Sequence, residues 1–301
     1  DTMLGIGQED PNLAVLVGDI SHYALQPFAK ACPGRFYNVG ILEPTIISMA
    51  AGLASVDLYP VVHTIAPFIV ERGFEQLKLD FCYQNLGGSL ISVGSAFDYA
   101  QLGCTHHCYN DIAMMKSLPN TEVIYPAMPN EFRQLFKQTY KNNKLTYFRL
   151  PGTQHEQIIP DEELVLGKGI KLKSGSDITL IGTGPQLKTM MDSISLFNDK
   201  GIDAEVLYFP TIKPIDVELV RDSLQKTKCV LVAEEHSQYG GLGDEILRIG
   251  SELDSVRYHF VNIPNEFLRG YGSYQIQCQK LGLTPPNIYH QGDLLIKSKK
   301  G

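Results

Sequence analysis

The sequence predicts an α/β protein built as two consecutive three-layer domains, each with a mostly parallel sheet. Short apolar runs alternate with amphipathic stretches along the whole chain, the pattern of strands joined by crossover helices. The chain has 301 residues, room for two domains of about 150 residues each. A polar, proline-containing stretch, LPGTQHEQIIPDEEL, interrupts the pattern at about residues 150 to 163 and reads as a linker. The expected domains are residues 1–155 and 165–301.

In the first half, buried strands are expected at LAVLVGD (13–19), PVVHTI (60–65), SLISVG (89–94), EVIYP (122–126) and KLTYFRL (144–150). Helices are expected at 45–55, 71–84, 110–117 and 129–141. In the last of these, Asn130 reads as the start, and Phe132, Leu135, Phe136 and Tyr140 share one face. In the second half, DITLIGTG (177–184), AEVLYFP (204–210), CVLVAEE (229–235) and YHFVNIP (258–264) read as strands. Helices are expected at about 185–200, 216–225, 241–253 and 274–282.

Composition excludes several classes. Hydrophobic content of 44% and charged content of 20% are ordinary for a globular protein. A net charge of −7 argues against a nucleic-acid surface. No apolar run approaches the roughly 20 residues that cross a bilayer. The opening DTMLGIGQEDPN is neither basic nor apolar enough for a signal peptide. The cysteines Cys32, Cys82, Cys104, Cys108, Cys229 and Cys278 are scattered without a CxxC pair and read as free thiols of a cytoplasmic protein.

One acid stands out. In RFYNVGILEPTIISMAAGLAS (35–55), Glu43 lies between an apolar tripeptide and Pro44, which suits the first position of a helix. Ile46, Ile47, Met49, Ala50, Leu53 and Ala54 then cover more than one face, so the helix reads as buried. Glu43 at the cap position can satisfy the helix end, or it can be an acid held in a dry place to exchange a proton with a ligand. The residues alone leave both readings open. GCTHHC (103–108) gathers two Cys and two His, but tetrahedral zinc needs spaced ligands that converge, and the adjacent His106 and His107 do not easily do so. No metal site is expected there.

Several stretches, in order, resemble the transketolase family over nearly the whole chain. They are VLVGDIS, RFYNVGILE with its small-residue helix, HTIAPFIVERGFEQLKLD, GCTHHCYNDIAMMKSLPNTEVIYPA and YFRLPG, then FPTIKPID, VAEEHSQYGGLGDEI and GLTPPNI. The resemblance implies a thiamine diphosphate pyrimidine-binding fold followed by a transketolase C-terminal-like fold. It implies that Glu43 hydrogen-bonds a ring nitrogen of the cofactor's aminopyrimidine and so activates it. Phe68 then stacks on the pyrimidine, the alternative being a core Phe on a strand-to-helix turn. Asp19, at the end of the first strand, lies near the cofactor or caps a turn. His106 takes the place of a histidine that reaches the donor substrate. Arg149 binds a substrate phosphate with its planar fork, or forms an ion pair at the domain interface. EEHSQYGGLG, a glycine-rich turn able to cradle an anion, has no cofactor role in the family and reads as packing and dimer contact.

The chain departs from the family at the substrate end. Gln101 and Leu102 replace an expected Glu-Asp pair, Gly94 and Ser95 stand where a phosphate-binding histidine is usual, and Leu42 and Pro44 flank Glu43. An ordinary pentose phosphate donor is therefore not implied. The Gly-Asp-Gly and downstream Asn that hold Mg²⁺ and the diphosphate in the family are absent from the sequence. The resemblance thus implies the C-terminal component of a split enzyme: Mg²⁺ is bound by a partner chain, the two chains share thiamine diphosphate, and the assembly is an α2β2 heterotetramer. The activity implied is transfer of a two-carbon ketol unit from a ketose to an aldehyde. The alternatives are a beta subunit of a 2-oxoacid dehydrogenase type or a deoxyxylulose phosphate synthase-like enzyme with a pyruvate-type donor, or an inactive scaffold subunit.

Overall fold

Apolar residues alternate between the two faces of each strand, and helices cover both faces. The computed structural model describes residues 1–299; residues 300 and 301, the end of the expected second domain, lie outside them. The chain runs α1 (Thr2–Glu9), β1 (Leu13–Val17), α2 (Gln26–Ala31), β2 (Phe36–Asn38), α3 (Glu43–Ala54) and β3 (Tyr59–Ile65). A helical stretch follows, with α4 (Phe74–Gln76) between π-helical turns at Pro67–Glu71 and Leu77–Cys82. Then come β4 (Gly88–Val93), α5 (Asp111–Ser117), β5 (Thr121–Ile124), α6 (Pro129–Thr139) and β6 (Leu145–Arg149). The second half holds β7 (Ile170–Lys173), β8 (Ile178–Gly182), α7 (Gln186–Asn198), β9 (Ala204–Tyr208), β10 (Thr211–Lys213), α8 (Val217–Thr227), β11 (Cys229–Ser237), α9 (Leu242–Gly250), β12 (Arg257–Ile263), α10 (Tyr274–Leu281) and α11 (Pro285–Lys299).

The first sheet has the order β10-β5-β6-β4-β3-β1-β2, and the second β12-β11-β8-β9-β7. Both are parallel except at one edge, where β10 runs antiparallel to β5 and β7 antiparallel to β9. In the first sheet Leu16, Val62, Leu90 and Val123 pack against Ile46, Ile47 and Ile112, while Val15, Val61, Ile91 and Phe148 pack against Phe28, Leu135 and Phe136 on the other face. The second sheet repeats the arrangement, with Val230 and Val232 against α8 and α9, and Leu180 and Leu231 against α7 and α11. This is the three-layer α/β fold that the sequence predicts. Among the described residues no helix is long and apolar enough to cross a membrane.

Two local expectations are corrected. The helix expected at 71–84 is not continuous: it begins at Pro67 and changes hydrogen-bond pitch twice. Gly73 sits between its pieces because a Cβ there would lie 2.1 Å from Ile47 Cδ1, so the glycine lets α3 approach. Asn130 does not start α6. Met128 is the cap, and the Glu131 carboxylate reaches back to the N–H groups of Ala127 (2.7 Å) and Met128 (3.2 Å). Asn130 instead donates to the Ile159 carbonyl of the linker at 2.9 Å.

The two sheets meet over a buried polar junction. Arg149, at the C-terminal end of β6, has no exposed surface. Its Nε donates to Asp111 Oδ2 at 2.8 Å, and its Nη2 donates to the carbonyls of Cys108 (3.2 Å) and Glu235 (2.9 Å). The guanidinium lies 4.5 Å over the Tyr125 ring. Tyr125 and Tyr274 both donate to the buried Glu235 carboxylate. His236 is fully buried; its Nε2 accepts from the Ala113 N–H at 3.3 Å and its Nδ1–H donates to the Ser237 carbonyl at 2.9 Å. Lys116 donates to the carbonyls of Gly240 and Gly241 and pairs with Glu245 at 2.8 Å. The N–H groups of Leu242 and Gly243 at the start of α9 are already taken by the Glu234 carboxylate, at 2.7 and 2.8 Å. The glycine-rich turn therefore packs against the first domain, and these two N–H groups are not open to an added anion.

A buried ion pair that loses one partner leaves an uncompensated charge. Asp111→Ala is expected to destabilise the chain by about 3–5 kcal/mol, read as a lower urea midpoint. Burial also pushes the His236 imidazole down from 6.5 to about 4. The unfolded chain binds that proton and the folded chain does not, so stability rises with pH across this window. The contribution of His236 is complete above pH 6.5 and is lost as pH falls toward about 4. Urea midpoints measured between pH 7 and pH 5 on the native chain and on His236→Gln are expected to converge on acidification; parallel curves count against this.

Candidate active site

The C-terminal ends of the parallel strands in the first sheet carry the residues singled out by sequence. This is the edge where open α/β sheets bind ligands. At the start of α3, Leu42 is the cap residue and Glu43 the first helical residue, followed by Pro44. Glu43 makes no capping hydrogen bond, which corrects the cap position expected for it. Its side chain turns inward and is 1% exposed. Oε2 accepts from Arg72 Nη1 at 2.7 Å. Oε1 is buried with no hydrogen-bond partner among the described residues. An unpaired buried acceptor costs about 1–3 kcal/mol, so a donor group that reached Oε1 would recover that cost.

Phe68 is partly buried on the π-helical turn after β3. The Arg72 guanidinium lies 4.3 Å from its ring centroid. His106 meets Phe68 edge-on at 5.4 Å and Tyr99 edge-on at 6.1 Å. His106 Nδ1 is paired with Thr105 Oγ1 at 2.9 Å, which leaves Nε2 without a hydrogen-bond partner among the described residues. Glu43, Phe68 and His106 thus form one chain of contacts, with Arg72 linking the first two and Tyr99 beyond His106. Sequence reasoning assigned no role to Arg72 or Tyr99. Arg72 follows Phe68 by four residues on a π-helical turn whose pitch the sequence does not show.

Tyr99 also explains a departure noted in the sequence. Gly94 has φ +72, and a Cβ there would lie 2.2 Å from Tyr99 Cε2. A side chain at 94, a histidine included, would have to displace this ring and hold a positive φ. Leu102 is exposed nearby in sequence at the tip of the same loop. The loop that carries His106 thus also holds the aromatic Tyr99 and the exposed apolar Leu102.

The other expected residues stand apart. Asp19 is exposed, in the left-handed region at φ 55. Its N–H donates to Asn38 Oδ1 at 3.1 Å, and Asn38 Nδ2 donates back to Asp19 Oδ1 at 3.0 Å. This reciprocal pair ties the ends of β1 and β2, and no hydrogen bond joins it to Glu43. Arg149 is buried, and its contacts with Asp111 and two carbonyls have the geometry of the domain-interface ion pair, while its Nη1 has no hydrogen-bond partner among the described residues. In the GCTHHC stretch, His107 turns inward to pair with Tyr109, away from the partner of His106. Among the described residues no three His, Cys, Asp or Glu side chains gather as metal ligands.

Comparison with known proteins matches this geometry to a family. Residues 1–155 match the family described as transketolase, pyrimidine binding domain, and residues 167–288 that described as transketolase, C-terminal domain. The chain is 31% identical over 279 residues to one of the apulose-4-phosphate transketolase subunits of Phocaeicola vulgatus, covering 92% of this chain and 89% of the relative. It is 31% identical over 290 residues to a 6-deoxy-6-sulfo-D-fructose transketolase subunit of a Clostridium species, covering 96% and 90%. A solved structure described as a split gene transketolase, inactive beta4 tetramer, superposes with a TM-score of 0.87 at 29% identity over 98% of this chain and 95% of the other. The chain belongs to the transketolase family and carries its pyrimidine-binding and C-terminal domains.

Proposed function

We propose that this chain is the beta-type subunit of a split, thiamine diphosphate-dependent transketolase-like enzyme that moves a two-carbon ketol unit from a ketose donor to an aldehyde acceptor. The observation that carries this reading is Glu43, a buried carboxylate with one oxygen held by Arg72 and the other unpartnered. The names of the split-enzyme relatives support the transketolase reaction over the decarboxylase alternative. The first domain ends near residue 155 and the second begins near 165.

The residues present fit the cofactor. The buried Glu43 carboxyl would share a proton with a ring nitrogen of the aminopyrimidine in a site shielded from water. Phe68 offers a flat face for stacking. Asp19, pinned by Asn38, lies beyond the C-terminal end of β1 in the same sheet. His106 presents Nε2 to the hydroxyl or carbonyl of the donor. When bound, thiamine diphosphate supplies the electron sink for breaking a carbon–carbon bond beside a carbonyl. Tyr99 over Gly94 and the exposed Leu102 support a donor other than an ordinary pentose phosphate.

In this reading the diphosphate and Mg²⁺ belong to a partner chain, which the subunit names of the relatives and the split-gene neighbour support. The assembly proposed is α2β2. The split-gene neighbour is described as an inactive tetramer of beta chains, which supports inactivity of this chain without its partner. All six cysteines are free thiols, which supports a reducing, cytoplasmic setting. In the complex with its diphosphate-binding partner, Glu43→Gln is expected to lower turnover by about 100-fold or more while the complex still elutes intact. Turnover by the purified chain alone would sink the split-enzyme reading, and full activity of Glu43→Gln would remove Glu43 from the mechanism.

A further inference from the structure

Arg72 makes two contacts at once. Its guanidinium lies 4.3 Å over the Phe68 ring and donates to Glu43 Oε2 at 2.7 Å. These are the two residues that the proposed function assigns to the pyrimidine, and the two kinds of contact are the same. A guanidinium and an aminopyrimidine are both flat groups that can lie on an aromatic face, and both present N–H donors at their edges. The rest of the Glu43 carboxylate is closed, since Oε1 has no accessible surface. Among the described residues Arg72 is the one that donates to it: 45% of the Arg72 side chain is exposed, against 1% for Glu43.

From this geometry we infer that Arg72 is a built-in stand-in for the pyrimidine, occupying its place in the cofactor-free subunit and swinging out when the cofactor loads. The backbone permits this without rearranging. Arg72 ends the π-helical turn Pro67–Glu71, with its N–H on the Pro67 carbonyl at 3.1 Å, so only the side-chain stem needs to rotate. A buried carboxylate left alone is strongly unfavourable. The exposed arginine meets that charge until a better donor arrives, and it is rehydrated on leaving. Cofactor binding is then an exchange of one planar donor for another, and the observed affinity is reduced by the fraction of subunits in which Arg72 is closed.

The inference rests on the proposed function and is tested apart from it. Thiamine diphosphate with Mg²⁺ is titrated calorimetrically into the complex of this chain with its diphosphate-binding partner. Arg72→Met, which keeps an apolar stem and removes the donor, is expected to bind thiamine diphosphate about 3- to 10-fold more tightly than the native complex. The urea midpoint of the same variant chain, measured alone, is expected to fall because Glu43 has lost its partner. Opposite signs in these two readouts distinguish a stand-in from a structural residue, which would weaken both. Arg72→Gln, a shorter planar donor, is run in parallel so that poor folding of one variant does not decide the matter; it is expected to bind with intermediate affinity. Unchanged or weaker cofactor affinity in folded variants overturns the inference, because it makes Arg72 inert or a permanent support for Glu43. Failure of the native complex to bind thiamine diphosphate overturns the proposed function as well.

Discussion

Arg149 has no route to water, and its charge is met from within the protein. Its partners come from separate parts of the chain: the Asp111 carboxylate at the start of α5, the Cys108 carbonyl in the loop before it, and the Glu235 carbonyl on β11 of the second sheet. A guanidinium presents five donors in a fixed fork, so its partners are held in direction as well as distance. The two sheets are tied at this point. Tyr125, Tyr274, Gln186 and His236 then satisfy further polar groups around it. Cys108 and Asp111 bound the loop that carries His106, so that loop is anchored to the same junction.

The site itself is assembled at the opposite extreme of order. Glu43 and Phe68 are held by elements buried in the first core, α3 and the turn after β3. The groups that meet them, Arg72, His106 and Tyr99, are half-exposed or exposed and sit on turns.

Much of the fold was legible in the sequence, and the reasons are specific. Central strands such as LAVLV and CVLVAEE are buried on both faces and read as continuous apolar runs. The strands missed, β2, β7 and β10, are three or four residues long and lie at sheet edges, where no run can build up. The pitch changes in residues 67–82 left no mark on periodicity. At the site, Glu43 was visible because an acid interrupts an apolar stretch. Arg72 was not, because an arginine after a glutamate on an amphipathic segment looks like an ordinary solvated face. For Arg149 an ion pair at the domain interface was one of two readings, but its partners could not be named, since they lie 38 and 86 residues away along the chain.

β10 is three residues long, yet it forms the outer edge of the first sheet while lying beyond the linker, between β9 and α8. During synthesis the ribosome releases the first domain with β5 as an open edge, a template for unwanted pairing. That edge is capped only when residues near 211–213 have emerged, after much of the second sheet has been made. The two domains are therefore not independent modules that a gene could exchange or truncate at the linker. A piece cut after residue 155 would carry Glu43, Phe68 and His106 but an unfinished sheet, and β10 makes the two halves one inherited unit.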